Sequence, residues 1–155
     1  MRHQVCFLLV FSLLIALLGC TTSESDKKTT VEYLNSPGIE KFDLPFSEAV
    51  RVNNMLYLSG QVGNMPGQMK LVEGGIEEET RQTLENIKST LQRYGADMDD
   101  VVKCTVFLAD IAEWPRMNKV YKTYFNSPFP ARSAVAGSGL ALGARVEIEC
   151  IAVLE

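Results

Sequence analysis

Histidine is all but missing from this chain: His3 is the only one. It lies in an N-terminal segment that reads as a removable signal, so the mature protein is expected to have none. That excludes Ser-His-Asp and Cys-His nucleophilic sites and histidine-ligated zinc, and it removes the usual acid/base for neutral pH. Catalysis, if any, has to run on Arg, Glu, Asp, Lys, Tyr, Ser, Thr, Cys or backbone groups. Cysteine is also scarce. Of the four, Cys6 falls within the removable segment and Cys20 at its end. Cys104 and Cys150 remain, each in an apolar strand-like run, and either one disulfide or two buried free thiols fits that placement. There is no Cys-x-x-Cys pair, which speaks against a thioredoxin-like role.

A bilayer-spanning run is missing too. Residues 5–18 are almost wholly apolar, but these 14 residues fall short of the about 20 that a spanning helix takes. Arg2 and His3 precede the run and Leu17-Leu18-Gly19-Cys20 ends it, so residues 1–20 read as a lipoprotein signal peptide with Cys20 as the acylated residue. An uncleaved N-terminal anchor is the alternative. Thr21 follows the cysteine where an acidic inner-membrane retention signal would stand. The expectation is therefore a lipid-anchored protein on the periplasmic side of a bacterial membrane, the outer one, touching the membrane through its lipid only. Residues 21–35 read as a polar tether, of which 21–30 have nothing to bury. Residues 36–155 suffice for one compact domain.

Excess positive charge is lacking as well. Losing Arg2 with the signal takes the formal net charge from −4 to −5, whereas nucleic-acid binding needs a concentrated basic surface. Arg116, Lys119 and Lys122 recur every three residues and read as a solvated helix face.

What is present is a clear order of elements. Residues 31–35 suit a short first strand. Phe46 to Val52 alternates, with Phe46, Glu48, Val50 and Val52 expected on one face. Asn53-Asn54 is a turn and Met55–Leu58 the returning strand of a hairpin. Ser59-Gly60-Gln61 closes it, and a glycine-rich loop follows to Gly75. Ile76, Thr80, Leu84, Ile87, Leu91 and Tyr94 form the apolar face of a helix, with Glu77, Glu78 and Glu79 in its first turn and Gly95 as its stop. Val101–Ala109 is a strand. A second helix carries Trp114, Met117, Val120, Tyr121 and Tyr124 on one face, with Asp110 near its start, Pro115 in its first turn, and Asn126 and Pro128 as its end. Arg132–Val135 and Arg145–Leu154 are the last two strands. The order β-β-β-α-β-α-β-β predicts an α+β fold, a mixed sheet with both helices on one face. The last strand places Val146, Ile148, Cys150, Ala152 and Leu154 under the helices. Its other side, Glu147, Glu149, Ile151 and Val153, is half apolar with nothing left in the chain to cover it, as an interface with another subunit would be.

Two runs stand out chemically: Phe129-Pro130-Ala131-Arg132-Ser133-Ala134-Val135 and Arg145-Val146-Glu147-Ile148-Glu149. An arginine cannot shed its charge, and its planar fork suits a carboxylate. A glutamate can hold or deprotonate a water. A structural Arg–Glu pair bracing two strands is the competing interpretation.

These runs, together with Leu58-Ser59-Gly60-Gln61, Thr83-Leu84-Glu85-Asn86-Ile87, Val102–Leu108 and Met117-Asn118-Lys119-Val120-Tyr121, resemble the Rid (YjgF) family of enamine/imine deaminases, also known as endoribonuclease L-PSP. The resemblance runs from about residue 36 to 155. It implies a chorismate-mutase-like fold, a homotrimer, clefts between subunits, and neither metal nor organic cofactor. It also implies that Arg132 grips the carboxylate of a 2-imino acid and that Glu147 positions the attacking water, while Ser59, Gly60 and Asn118 match further cleft positions. Two positions depart from the commonest pattern. Pro45-Phe46-Ser47-Glu48 stands where Pro-Tyr-Ser-Gln is frequent, keeping an aromatic substrate-binding wall at Phe46 without the hydroxyl. Ala134 stands where a cysteine is frequent and keeps only a backbone contact to offer the substrate. Glu149 shares the face of Glu147 and reads as structural. Retention of Arg132 and Glu147 favours hydrolytic deamination of small 2-imino or enamine acids to 2-oxo acids and ammonia. A non-catalytic small-acid binder or chaperone-like trimer is the second reading, and a ribonuclease the third, opposed by the charge and the missing histidine.

Overall fold

The structure is a computed structural model that describes residues 28–155. The lipobox, Cys20 and residues 21–27 of the polar tether lie outside the described residues. The strands are β1 (Val31–Leu34), β2 (Ala49–Val52), β3 (Met55–Leu58), β4 (Gln61–Val62), β5 (Val101–Leu108), β6 (Ala131–Ala136) and β7 (Val146–Val153). The helices are α1 (Ile76–Arg93) and α2 (Trp114–Tyr121), with short 3-10 turns between elements. One mixed sheet runs β1-β2-β3-β7-β5-β6, with β4 also on β7. The β5–β6 pair is parallel and the other pairs are antiparallel. This is the expected α+β architecture.

The expected hairpin forms, with Asn53 in the left-handed region at φ 53°, a conformation that asparagine tolerates better than most residues. The expected alternation in its first strand does not hold. Ala49 pairs with the buried Leu58 and Arg51 with the buried Leu56, so Ala49 and Arg51 face the helices and Val50 and Val52 face away. Glu48 nevertheless turns its carboxylate toward α1, bonding Thr90, Arg93 and Tyr94. Those partners outweigh the period-2 pattern, and β2 begins only at Ala49. Val31–Leu34, within the stretch read as tether, pairs with β2.

The chain pattern missed β4. It pairs with β7 at Glu147 and Ile148, while β3 pairs further along at Ile151 to Val153. The two strands thus follow one another along the same neighbour, with Ser59 and Gly60 at the step. A two-residue strand has too few positions to show a period.

Helix α1 buries Ile76, Thr80, Leu84, Ile87 and Leu91 as its spacing predicts. Gly95, at φ +83°, lets the Ala96 N–H donate to the Leu91 carbonyl at 2.9 Å, closing the helix end. Helix α2 stops at Tyr121, short of the expected Asn126, and residues 122–124 continue as turns. Met117, Val120 and Tyr121 are buried, but Trp114 is 40% exposed and Tyr124 lies beyond the helix. The core joins both helices to the sheet through Leu56, Leu84, Ile87, Leu91, Val106 and Ile148, all with no exposed surface. Each such side chain contributes about 1.5–3 kcal/mol by leaving water.

Strand β7 alternates as expected. Val146, Ile148, Cys150 and Ala152 are buried under the helices, while Glu147, Ile151 and Val153 are half-buried and Glu149 exposed on the open face. Among the described residues, no helix is long and apolar enough to cross a membrane.

Candidate active site

The seven candidate site residues fall into two groups. The first gathers at the step between β3 and β4, with Glu147 on the open face. Glu147 sits mid-sheet, between Val62 of β4 and Phe107 of β5. Gly60 runs directly against it: a Cβ at residue 60 would lie 2.9 Å from Glu147 Cδ and nearer still to Oε1. Phe46, Gly60 and Glu147 line one cleft of about 520 Å³, together with Met69 and Leu142. Ser59 does not line it but supports it. Its hydroxyl donates to the Ser47 carbonyl at 2.7 Å and its N–H to the Glu48 carbonyl at 3.1 Å. This fixes the chain on both sides of Phe46 and Gly60.

Glu48 anchors the same wall from below. Its carboxylate accepts from the Ser36 N–H at 3.0 Å, Thr90 at 3.2 Å, Arg93 at 2.7 Å and Tyr94 at 2.8 Å. Burial alone would push this carboxyl up, but the hydrogen bonds from Tyr94 and Arg93 and the Arg93 charge outweigh it, holding it below its ordinary value. Sequence reading passed over Glu48 as a site support. Its signal was a carboxylate at a position where the family often has glutamine.

Glu147 behaves oppositely. Burial raises its carboxyl above the ordinary value, and the negative charge of Glu149 on the same face raises it further. A carboxylate that is half-desolvated beside a like charge holds protons more readily than a free glutamate, as a water-handling base does.

The second group lies across the sheet. Arg132 pairs with Cys104 in β5, and Cys104 with Cys150 in β7. Cys104 and Cys150 are buried on the helix face, so Arg132 faces the helices too. Its guanidinium carbon stands 4.5 Å over the Tyr121 ring centroid and 5.7 Å from that of Trp114. Both are cation–π contacts. Asn118 lies between those aromatics on α2, four residues after Trp114 and three before Tyr121, and so shares their face. Ala134, two residues after Arg132, shares the same face of β6 and packs on the core.

Arg132 and Glu147 therefore do not meet within one chain. They occupy opposite faces of the sheet, two strands and three residues apart, a Cα separation of about 14 Å. None of the ion pairs among the described residues involves Arg132, Glu147 or Glu149. A structural Arg–Glu brace between these two strands is thereby overturned for the single chain. The nearest thing to such a brace is elsewhere: Arg145 grips Glu113 with Nε and Nη2.

Cys104 and Cys150 are free and fully buried, with their sulfurs 2.6 Å apart. Among the described residues, no three His, Cys, Asp or Glu side chains converge as metal ligands would.

Known proteins resemble this chain in sequence and in fold. The sequence profile described as Endoribonuclease L-PSP matches residues 41–154. A protein of Bos taurus named 2-iminobutanoate/2-iminopropanoate deaminase is 50% identical over 109 residues, covering 70% of this chain and 80% of that protein. The Homo sapiens protein of the same name is 46% identical over 109 residues, with the same shares covered. Among solved structures, RidA of the Antarctic bacterium Psychrobacter sp. superposes with a TM-score of 0.68 at 39% identity, covering 72% of this chain and 89% of that one. Yeast Mmf1 superposes with a TM-score of 0.71 at 35% identity, covering 81% of this chain and all of that one. With the fold, the profile and these relatives in agreement, the chain belongs to the Endoribonuclease L-PSP family, the Rid (YjgF) proteins.

Proposed function

We propose that this protein hydrolyses small 2-imino acids to 2-oxo acids and ammonia, at clefts formed between the subunits of a homotrimer. The observation that carries this reading is the placement of Arg132 and Glu147. Among the described residues neither side chain has an ion partner, and the two lie on opposite sheet faces, so one chain supplies only half a site from each. A head-to-tail ring brings the Arg132 group of one subunit to the Glu147 group of the next. The half-apolar open face, with Tyr57, Ile151 and Val153, is the surface such a ring would bury. The names of the curated relatives supply the reaction class.

The chemistry follows from the two groups. Arg132, propped on Tyr121 and Trp114, holds the substrate carboxylate through two parallel hydrogen bonds. The C=N carbon then faces Glu147 and the Gly60 backbone. Glu147 takes a proton from a water as its oxygen attacks that carbon. Glu147 returns that proton to the nitrogen to give the carbinolamine, whose hydroxyl proton then passes to the same nitrogen, so that ammonia leaves and the C=O of a 2-oxo acid remains. Imines already hydrolyse in water, so orientation does much of the work and no strong acid/base is needed. No observation favours the binder reading over this one, and the net charge opposes the ribonuclease reading.

Subunit mixing tests the proposal. Arg132→Ala and Glu147→Ala should each be inactive alone. In random 1:1 mixed trimers about a quarter of clefts pair an intact Arg132 with an intact Glu147, so that share of ammonia release should return. No recovery in trimers shown by mass to be mixed would place both residues in one subunit's site, and a monomer by light scattering would remove the cleft altogether.

A further inference from the structure

The dithiol Cys104/Cys150 has no part in the deamination chemistry, yet it lies directly beneath the arginine that chemistry needs. The two cysteines are register partners across the central strands β5 and β7, and both are free and buried. Arg132 is the register partner of Cys104 on the other side. Tyr121 closes the cluster. Its hydroxyl is buried without a hydrogen-bond partner. Its ring carries the Arg132 guanidinium at 4.5 Å.

We propose that Cys104 and Cys150 are a disulfide-forming pair, and that their oxidation weakens substrate-carboxylate binding by shifting Tyr121 under Arg132. The coupling rests on the deaminase reading, whereas the disulfide itself does not. The oxidant is a low-molecular-weight disulfide. Cys104 as thiolate attacks one sulfur of RSSR, forming a mixed disulfide and releasing RS⁻. Cys150 loses its proton and attacks the Cys104 sulfur, forming the intrachain bond and releasing the second RS⁻. The protein loses two protons and two electrons, and the reagent ends as two thiols.

The local electrostatics fit that order. A hydrogen bond with Cys150 stabilises the Cys104 thiolate against the cost of burial, and the Arg132 charge adds to it, so Cys104 ionises more readily than a free cysteine. Cys150, donating to Cys104 and buried, is held well above the ordinary thiol value. An ionisable attacking thiol beside a protonated resolving thiol is the arrangement that exchange requires. Because both sulfurs are buried, the reagent reaches them slowly in the folded protein and freely before the sheet closes. Closing the bond draws the two sulfurs together beneath Tyr121, whose ring carries the Arg132 guanidinium. The ring then moves and carries the arginine with it.

The test uses the full chain, incubated with oxidised glutathione both folded and during refolding. Intact mass and thiol titration in denaturant report the bond, while KM and kcat for ammonia release and calorimetric affinity for a 2-oxo acid report the coupling. Oxidised protein should be two hydrogens lighter with no glutathione attached. Its KM should rise about fivefold with kcat little changed, as for one weakened charge-assisted contact. Cys150→Ser should show unchanged reduced activity and no such response. Cys104 and Cys150 both still free after both treatments would overturn the disulfide. An oxidised protein with unaltered KM and unaltered 2-oxo acid affinity would overturn the coupling. A reduced protein without any deaminase activity would count against the proposed function, leaving mass and thiol titration to decide on the disulfide.

Discussion

The backbone of Gly60 lies against the carboxylate of Glu147, with no room between them for a side chain. Strand β4 imposes this approach, since its pairing with β7 begins one residue after Gly60. The contact leads to the first prediction. Gly60→Ala should push the Glu147 carboxylate off its position while leaving the core untouched. A displacement near 1 Å at a reacting group costs about 10²-fold. Deaminase kcat/KM should fall by about that factor, and the melting temperature should shift by only a few degrees. Near wild-type turnover in Gly60→Ala would show that Glu147 does not need its present position.

Arg132 tests the role of geometry against that of charge. Lysine keeps the positive charge but loses both the fork and the flat stacking on Tyr121. Arg132→Lys should stay folded and oligomeric and lose most deaminase activity. Glu147→Gln, which keeps the shape of the cleft, should lower kcat more than it raises KM. Melting temperature and ammonia release measured on the same samples separate these outcomes from a loss of folded protein. A well-folded Arg132→Lys with full activity would remove the bidentate grip from the mechanism.

Much of this arrangement was legible in the sequence because its periods are long. The faces of α1 and β7 follow 3.6- and 2-residue repeats over many positions, and burial confirms them. The helix end at Gly95 was legible because one residue type serves that conformation. Three features were not. β4 is two residues long and has no period. The face of Glu48 is decided by Arg93, Thr90 and Tyr94, more than 40 residues away. Trp114, expected in the core, instead lies over Arg132, because the parallel pairing of β6 beside β5 brings that charge under α2. In the candidate site, residue types pointed to Arg132 and Glu147. Their separation across the sheet depends on strand order, which no local pattern encodes.

The N-terminal segment supports a prediction from sequence alone. We propose that Cys20 is the acylated N-terminus and holds the domain at the membrane. Cells producing Cys20→Ala should show unprocessed precursor or protein released into the soluble fraction, and the native protein should label with fatty acid. Unlabelled native protein with unchanged membrane retention in Cys20→Ala would sink the proposal.

Glu149 should tune its neighbour through charge. Its carboxylate adds to the upward push that burial exerts on Glu147. If Glu147 must be ionised to handle water, activity falls as pH drops through a value above the ordinary glutamate value. Glu149→Gln removes one of the two causes and should move the acid limb of kcat/KM to lower pH, with the neutral-pH rate nearly unchanged. A limb that stays in place would mean that burial alone sets Glu147, or that another group titrates.

Glu48 carries the last prediction, and here the sign is reversed. Its carboxyl is held below the ordinary value of 4.5 because Tyr94 and Arg93 stabilise the charged form beyond the cost of burial. A depressed folded value means that the ionised group stabilises the fold at pH above the unfolded value, and that this contribution fades as pH falls through the folded one. Glu48→Gln keeps a hydrogen-bonding side chain in place but loses the charge opposite Arg93, at a cost of about 1–2 kcal/mol at neutral pH. Denaturant unfolding across pH should show the wild type ahead of Glu48→Gln by that margin at pH 7. The gap should close as pH falls from 4.5 through the lower folded value, below which both side chains are neutral. Because Glu48 fixes the chain carrying Phe46, and Ser59 bonds its carbonyl, KM should rise in the same variant before the protein unfolds. A gap that is constant with pH would show that shape, rather than charge, is what Glu48 contributes.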